Sequence, residues 1–352
     1  MEQEPSADSN SFSRRSALAA GAAGIAALAG CLVHGEESNL TGTVTMDGSN
    51  TVLPHGSAVA EEFLWRNNRV NIPVRGSGTG AGFSQFCSGA TDIQNASREI
   101  KSTEIEQCED TGVEYIELTA LRDGIAVFAH SDNNWCDDLT VDELRAIWEP
   151  GSSVETWADI RPEADWPEEE LSLFGRDPAS GTFDSYTESL FGTAGEIRND
   201  YSASADTNVI VRGVSGTRYG LGWGGAGYYY ENADDLKLIG IIDEEKGVEE
   251  PERPTPGSIE ADDEYERFTR DMFIYVNATE LSRETLRSFV EFYFEPIDEE
   301  THQQAVEEEL IEPDDNPTWT QWAARKVGFY ASSDAVIAQS KETLEEAIEE
   351  YA

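Results

Sequence analysis

Apolar positions along this chain alternate between two spacings. At residues 52–67 they recur at helical intervals, with Val59, Phe63 and Leu64 on one face, which predicts a helix. Similar patterns predict helices at 81–87, 141–148, 183–191, 283–294, 301–309, 319–327 and 335–349. Between them lie short, β-branched or aromatic apolar runs at 43–46, 71–74, 116–121, 125–129, 172–174, 236–242 and 273–276, which read as strands. Strands alternating with helices predict an α/β architecture of mainly parallel sheets flanked by helices. In open sheets of that kind ligands sit beyond the carboxyl ends of strands. Residues 243–264 are acidic and carry Pro251, Pro254, Pro256 and Gly257, so they read as a surface excursion.

Four hydroxyl-rich turns fall at the junctions of these elements. Gly76-Ser77-Gly78-Thr79-Gly80 and Arg176-Asp177-Pro178-Ala179-Ser180-Gly181-Thr182 each follow a strand-like run and open a helix-like one. Amides at a helix start have no partner within the helix, and the helix dipole places partial positive charge there. Glycine lets an anion approach that backbone, and Ser or Thr hydroxyls add donors. Thr79 and Ser180 also suit simple helix caps. Arg176 adds a planar fork of donors matched to phosphate or carboxylate, with Asp177 as its alternative partner. Asp92 to Arg98 supplies a third turn, in which Ser97 and Arg98 face the same cleft or Arg98 is solvated. Asp47-Gly48-Ser49-Asn50-Thr51 supplies a fourth. The glycine- and aromatic-rich segment 219–230 fits close packing of a strand on a helix, and no ligand contact is assigned to it.

Composition narrows the function. The chain has 352 residues, 70 acidic against 24 basic, for a formal net charge of −46. That balance excludes nucleic acid, whose phosphates demand Lys and Arg. Aromatic residues make up 10% of the chain and apolar runs recur throughout, which argues against disorder. Only five lysines occur, and an acidic, lysine-poor folded surface fits an extreme halophile, where molar salt screens repulsion over ~3 Å. Residues 1–35 read as a targeting leader: Arg14-Arg15 is a twin-arginine pair, 17–30 is an uncharged small-residue run, and Cys31 follows Ala29-Gly30 as in a lipoprotein cleavage box. Residues 36–42 read as a tether. The expected location is therefore outside the cytoplasm, lipid-anchored through Cys31 to the outer face of the cell membrane. Of the remaining cysteines, Cys87 and Cys108 enclose a short loop suited to a disulfide, with three free thiols as the alternative. His34, His55, His130 and His302 show no ligand spacing, so neither a metal nor another cofactor is expected.

The motifs together resemble those of the periplasmic phosphate-binding proteins, the substrate receptors of the high-affinity phosphate ABC importer. Gly48-Ser49-Asn50-Thr51-Val52 is similar to the family's early Gly-Ser-Ser-Thr-Val run. Segments 75–82, 92–100, 176–183 and 220–230 resemble its later motifs in order, over about residues 43 to 335. The resemblance implies a two-lobed, hinge-closing fold of the type II periplasmic-binding-protein kind, with the ligand in the interlobe cleft. It divides the chain into lobe 1 (43–121 plus 273–352) and lobe 2 (122–272), hinged near Leu121 and Met272. It also implies that Thr51, Thr79, Arg176, Ser180, Gly181 and Thr182 occupy ligand-binding positions. Several members place a proton-accepting aspartate where this chain has Arg98, which here adds charge complementarity.

The expected function is extracytoplasmic binding of inorganic phosphate by a monomer and its delivery to a membrane permease. Arsenate, sulfate and molybdate receptors are the nearest alternatives. A secreted phosphatase would need a metal cluster or an activated nucleophile, and no histidine lies near Ser180 or Thr182 in sequence, so a non-enzyme is expected.

Overall fold

The computed structural model describes residues 39–178, 180–261 and 264–352; the leader, Cys31 and residues 36–38 of the tether lie outside them. The first elements are β1 (Gly42–Thr43), β2 (Met46–Gly48), α1 (Leu53–Arg66), β3 (Val70–Asn71), α2 (Thr79–Phe86), β4 (Ile93–Ala96), α3 (Ser102–Thr111) and β5 (Tyr115–His130). Next come β6 (Asp138–Thr140), α4 (Val141–Trp148), α5 (Trp157–Ile160), β7 (Ser172–Arg176), α6 (Gly181–Phe191), β8 (Ser202–Ser204) and α7 (Thr207–Ser215). Then follow β9 (Gly220–Gly225), α8 (Ala226–Tyr230), β10 (Leu236–Leu238), β11 (Gly240–Ile242), α9 (Pro256–Glu260) and β12 (Thr269–Asn277). Helices α10 (Glu284–Tyr293), α11 (Glu299–Glu307), α12 (Trp319–Lys326) and α13 (Asp334–Tyr351) complete the chain. Local chemistry sets many of these boundaries. At the start of α4, for example, Thr140 Oγ1 accepts from Glu143 N at 3.1 Å and Glu143 Oε2 accepts from Thr140 N at 2.8 Å.

The main sheet runs β2-β4-β12-β5-β9-β7-β8, with β10 also on β5. Its outer pairings β2–β4, β9–β7 and β7–β8 are parallel. The central ones, β4–β12, β12–β5 and β5–β9, are antiparallel, so the sheet is mixed. The reason lies in β5, a long strand that threads two cores with β12 antiparallel beside it. Leu118, Ala120 and Leu121 of β5 pack with Phe63, Ile274, Phe289 and Trp319 in the first core. Ile125 to Ala129 of the same strand pack with Trp148, Tyr186, Trp223 and Phe268 in the second.

The sequence pattern predicts two strands here, broken at Arg122-Asp123-Gly124. They are one strand, because β12 brings a complementary pair opposite: Arg270 faces Asp123 and Asp271 faces Arg122. Arg122 Nε donates to Asp271 Oδ1 at 2.8 Å, and Arg270 Nη2 donates to Asp123 Oδ2 at 2.7 Å. A third crossing is the bridge between Arg122 and Tyr330.

Other expectations shift in detail. The run 43–46 divides between β1, which pairs with β3, and β2 in the main sheet. The run 236–242 splits at Ile239 into β10 on β5 and β11 on β6. Residues 243–264 are more than a surface excursion: α9 buries Ile259 in the second core, and buried Asp243 pairs with Arg267. Gly124 admits this, since a Cβ there would lie 2.3 Å from Ile259 Cδ1. Cys87 and Cys108 form a disulfide that joins α2 to α3 beside Phe83, Phe86 and Tyr275, while Cys136 is free and buried.

His55 on α1 is fully buried and shares Nε2 with the Thr320 carbonyl (3.1 Å) and hydroxyl (3.0 Å). Desolvation pulls its pKa down from 6.5 to about 4, opposed by the Thr320 carbonyl. The fold therefore holds a neutral imidazole that the unfolded chain protonates. Its contribution is complete above pH 6.5 and falls as pH drops toward 4, by roughly 3 kcal/mol at the limit. Denaturant unfolding in molar KCl should show that His55→Gln loses correspondingly less stability than the parent over that interval.

Candidate functional site

On the side of the first core, two glycine turns are bound to each other. Buried Asp47 accepts from Gly48 N at 2.7 Å and from Ser77 N at 3.0 Å through Oδ1, and Gly78 N donates to Gly48 O at 2.8 Å. Gly48 has φ +128°, and a Cβ there would lie 2.1 Å from Asn95 O. Gly82 lets α2 press on this turn, its would-be Cβ only 2.5 Å from Gly48 Cα. Of the two readings of Thr79, the helix cap falls away, because Gly78 takes that position with φ +96°. The Thr79 hydroxyl is thereby released toward β4, 3.1 Å from Ser97 Oγ, and accepts from Ser97 N at 3.3 Å. Ser49 Oγ accepts from Thr51 N at 3.2 Å and fixes the turn before α1.

On the side of the second core, β7 delivers Arg176 to the start of α6. Its Nε donates to Ser180 Oγ at 2.9 Å and its Nη1 to Thr207 Oγ1 at 2.5 Å. Ser180 also caps α6, accepting from Thr182 N at 3.2 Å. Cap and ligand readings of Ser180 are therefore compatible. Thr207 reaches Arg176 because Asp206 caps α7 one residue earlier. Burial lowers the Arg176 pKa from its ordinary value. Among the described residues no carboxylate forms an ion pair with it; its partners are hydroxyls.

The two sides face each other across a cavity of about 590 Å³. Thr51, Thr79, Ser97, Arg98, Arg176, Ser180 and Gly181 all line it, so the structure brings seven of the eight expected anion ligands together. The eighth, Thr182, lines an adjoining space of about 480 Å³ that shares Thr51 and Arg176. The sides nearly touch at Gly181, where a Cβ would lie 2.6 Å from Ser97 Oγ. Segment 220–230 holds β9 against α7 through Gly222 and Gly224, as its glycines suggest. Gly225, Gly227 and Tyr228 also border the adjoining space, which the sequence reading did not assign.

Arg98 requires a correction. Both its Nη atoms donate to the Glu104 carboxylate, each at 2.8 Å, and its guanidinium lies over Phe83. Glu104 also accepts from Lys101 N at 2.9 Å at the start of α3. The charge that Arg98 was expected to add is thus compensated within its own side of the cleft. Sequence reasoning missed Lys101, Asp184, Thr207 and Arg270. Lys101 lines the cavity with no ion-pair partner among the described residues. Asp184, in the first turn of α6, is half-buried in the wall; desolvation raises its pKa against the pull of Lys101, Arg98 and Arg270. The Ser-Thr-Glu run at 102–104 was the available sign that Glu104 works at a helix start.

The described residues hold no His/Cys/Asp/Glu group suited to a metal ion, and no histidine is among the residues lining either space. None of the helices among the described residues is long and apolar enough to cross a membrane.

A two-lobed mixed α/β frame with polar turns converging on a cleft defines a solute-binding-protein architecture. The chain belongs to the PBP superfamily, whose domain model matches residues 34–296. It is 40% identical over 259 residues to protein SphX of Synechocystis sp., covering 73% of this chain and 75% of that one. It is 34% identical over 255 residues to the phosphate-binding protein PstS of Staphylococcus saprophyticus, covering 72% and 76%. A crystal structure of a possible phosphate binding protein from Planctomyces limnophilus superposes with a TM-score of 0.65 at 35% identity, covering 88% of this chain and 99% of that one.

The Gly48 geometry gives a direct expectation. Gly48→Ala combines a disfavoured φ with overlap on the Asn95 carbonyl, and should cost at least about 2 kcal/mol in denaturant unfolding.

Proposed function

We propose that this protein captures inorganic phosphate outside the cytoplasm and passes it to the permease of an ABC-type importer. The observation that carries the reading is Arg176: a desolvated guanidinium at a helix start, held by Ser180 and Thr207 rather than by a carboxylate, in a chain of net charge −46. A tetrahedral oxyanion supplies the charge that burial makes this group need. The α6 amides, Thr51, Thr79 and Ser97 replace part of its water shell. PstS and the Planctomyces protein, both described as phosphate binders, support phosphate as that anion. The absence of any histidine from the described cleft wall favours a receptor over a phosphatase.

In this reading residues 43–121 with 273–352 form one lobe and 122–272 the other. They close as a monomer about β5 and β12. The twin-arginine leader exports the chain, Cys31 anchors it by lipid, and the acidic surface suits molar salt. Asp184 takes over the role of accepting the proton of hydrogen phosphate, since Arg98 stands where the family aspartate would and is itself tied to Glu104.

Titration calorimetry with phosphate, arsenate and sulfate in molar KCl tests the reading; absence of phosphate heat on the intact protein overturns it. Arg176→Ala should weaken phosphate binding by about 1.5–3 kcal/mol, the worth of hydrogen bonds to a charged group. Asp184→Asn should narrow the preference for phosphate over sulfate. An unchanged ratio of the two dissociation constants removes Asp184 from the selectivity role.

A further inference from the structure

Two adjacent residue pairs on β5 and β12 carry opposite charges in reciprocal order: Asp123 with Arg270, and Arg122 with Asp271. Successive side chains of a strand point to opposite faces, so the two ion pairs lie on opposite sides of the sheet. They differ in what else they hold. The Arg122 guanidinium reaches the carbonyls at the end of α9, including Ala261 O at 2.8 Å. The Arg270 guanidinium reaches the start of α6 instead. Its Nη1 donates to Gly181 O at 2.6 Å and Ser185 Oγ at 2.5 Å, and its Nη2 to Thr182 Oγ1 at 3.2 Å and Asp123 Oδ2 at 2.7 Å. Arg270 is largely buried and is not among the residues lining either cleft space.

We propose that Arg270 is a positioning residue for anion binding: it fastens the first turn of α6 to the two strands that join the cores, and so sets where the α6 amides meet the ligand. The inference rests on the phosphate reading above for its binding test but has a second readout that does not. One planar fork spans four acceptors on two elements, and Lys, with one compact ammonium, cannot span them all. Arg270→Lys thus keeps a cation beside Asp123 while losing the α6 contacts. This separates positioning from the alternative, in which removing Arg270 merely strands the buried Asp123 charge near the anion.

The experiment compares Arg270→Ala, Arg270→Lys and Asp271→Asn, the last breaking the opposite-face pair, by thermal unfolding, phosphate calorimetry and amide hydrogen exchange. Arg270→Ala should raise the phosphate dissociation constant at least tenfold and Arg270→Lys at least fivefold. Asp271→Asn should lower the melting temperature yet leave the constant within twofold. Exchange at Phe183 and Asp184, whose amides bond Ser180 O, should accelerate in both Arg270 variants and not in Asp271→Asn. If Arg270→Lys binds phosphate as the parent does, or affinity in all three variants simply follows melting temperature, the proposal fails. If the parent shows no phosphate heat but the exchange contrast holds, the functional reading falls and the positioning role stands. Equal exchange in all three variants overturns the positioning role whatever phosphate does.

Discussion

The constraint on which the rest depends is that one guanidinium must stay without a carboxylate in a chain where acidic residues outnumber basic ones by 70 to 24. Many other cations are drawn into ion pairs. Arg267 bonds both Asp243 and Glu245, Arg145 bonds Glu245 as well, and Arg161 takes Asp138 and Glu143. Arg98, though in the cleft wall, is held by Glu104. Arg176 is kept apart by geometry. It ends β7, next to the sheet's edge strand, it is half-buried, and its N–H groups bond the hydroxyls of Ser180 and Thr207, each fixed at a helix start. Hydroxyls satisfy its N–H groups without neutralising it, so the charge remains for an anion.

A second consequence follows from how the two halves are joined. Apolar strands would have fused the two cores through β5 and β12. Instead Arg122-Asp123 meets Arg270-Asp271 in a short ionic belt where one core stops and the other begins. Paired in this way, the charges permit two uninterrupted strands without extending the apolar packing across the junction. Arg270 belongs to this belt and also bonds Gly181 at the start of α6, so the helix start that borders the cleft is fastened at the junction itself.

Much of this was legible in the chain. Residues Val141–Trp148 fold as the helix their spacing predicts, and Thr51, Thr79, Ser97, Arg176, Ser180 and Gly181 do converge on one cavity. Each of those residues sits next to a glycine turn or a strand end, where local sequence dictates local geometry. What was not legible depended on distant partners. Arg122-Asp123-Gly124 reads as a break until Asp271 and Arg270 are placed opposite, about a hundred and fifty residues later. Thr207 gains its role only because β7 lies beside β8 and aims Arg176 at α7. Arg98 offered the opposite lesson, since its six-residue neighbour Glu104 cancels a charge that the motif alone left available.

The Arg98–Glu104 pair also shows how a polar wall can be assembled without weakening the anion site. A carboxylate free in the cleft repels a dianion, whereas one clamped by two parallel N–H···O bonds presents a neutral, rigid unit. Asp184 is the contrasting case: it is half-buried in the wall, and desolvation raises its pKa, which makes its carboxylate a stronger acceptor toward a protonated oxyanion. One carboxylate is thus neutralised by pairing and the other made more basic by desolvation. Both leave Arg176 as the cleft's desolvated cation without a carboxylate of its own among the described residues. In the proposed phosphate reading, selectivity and affinity accordingly rest on different residues, with the charge carried by Arg176 at the end of β7 and the proton accepted by Asp184 on α6.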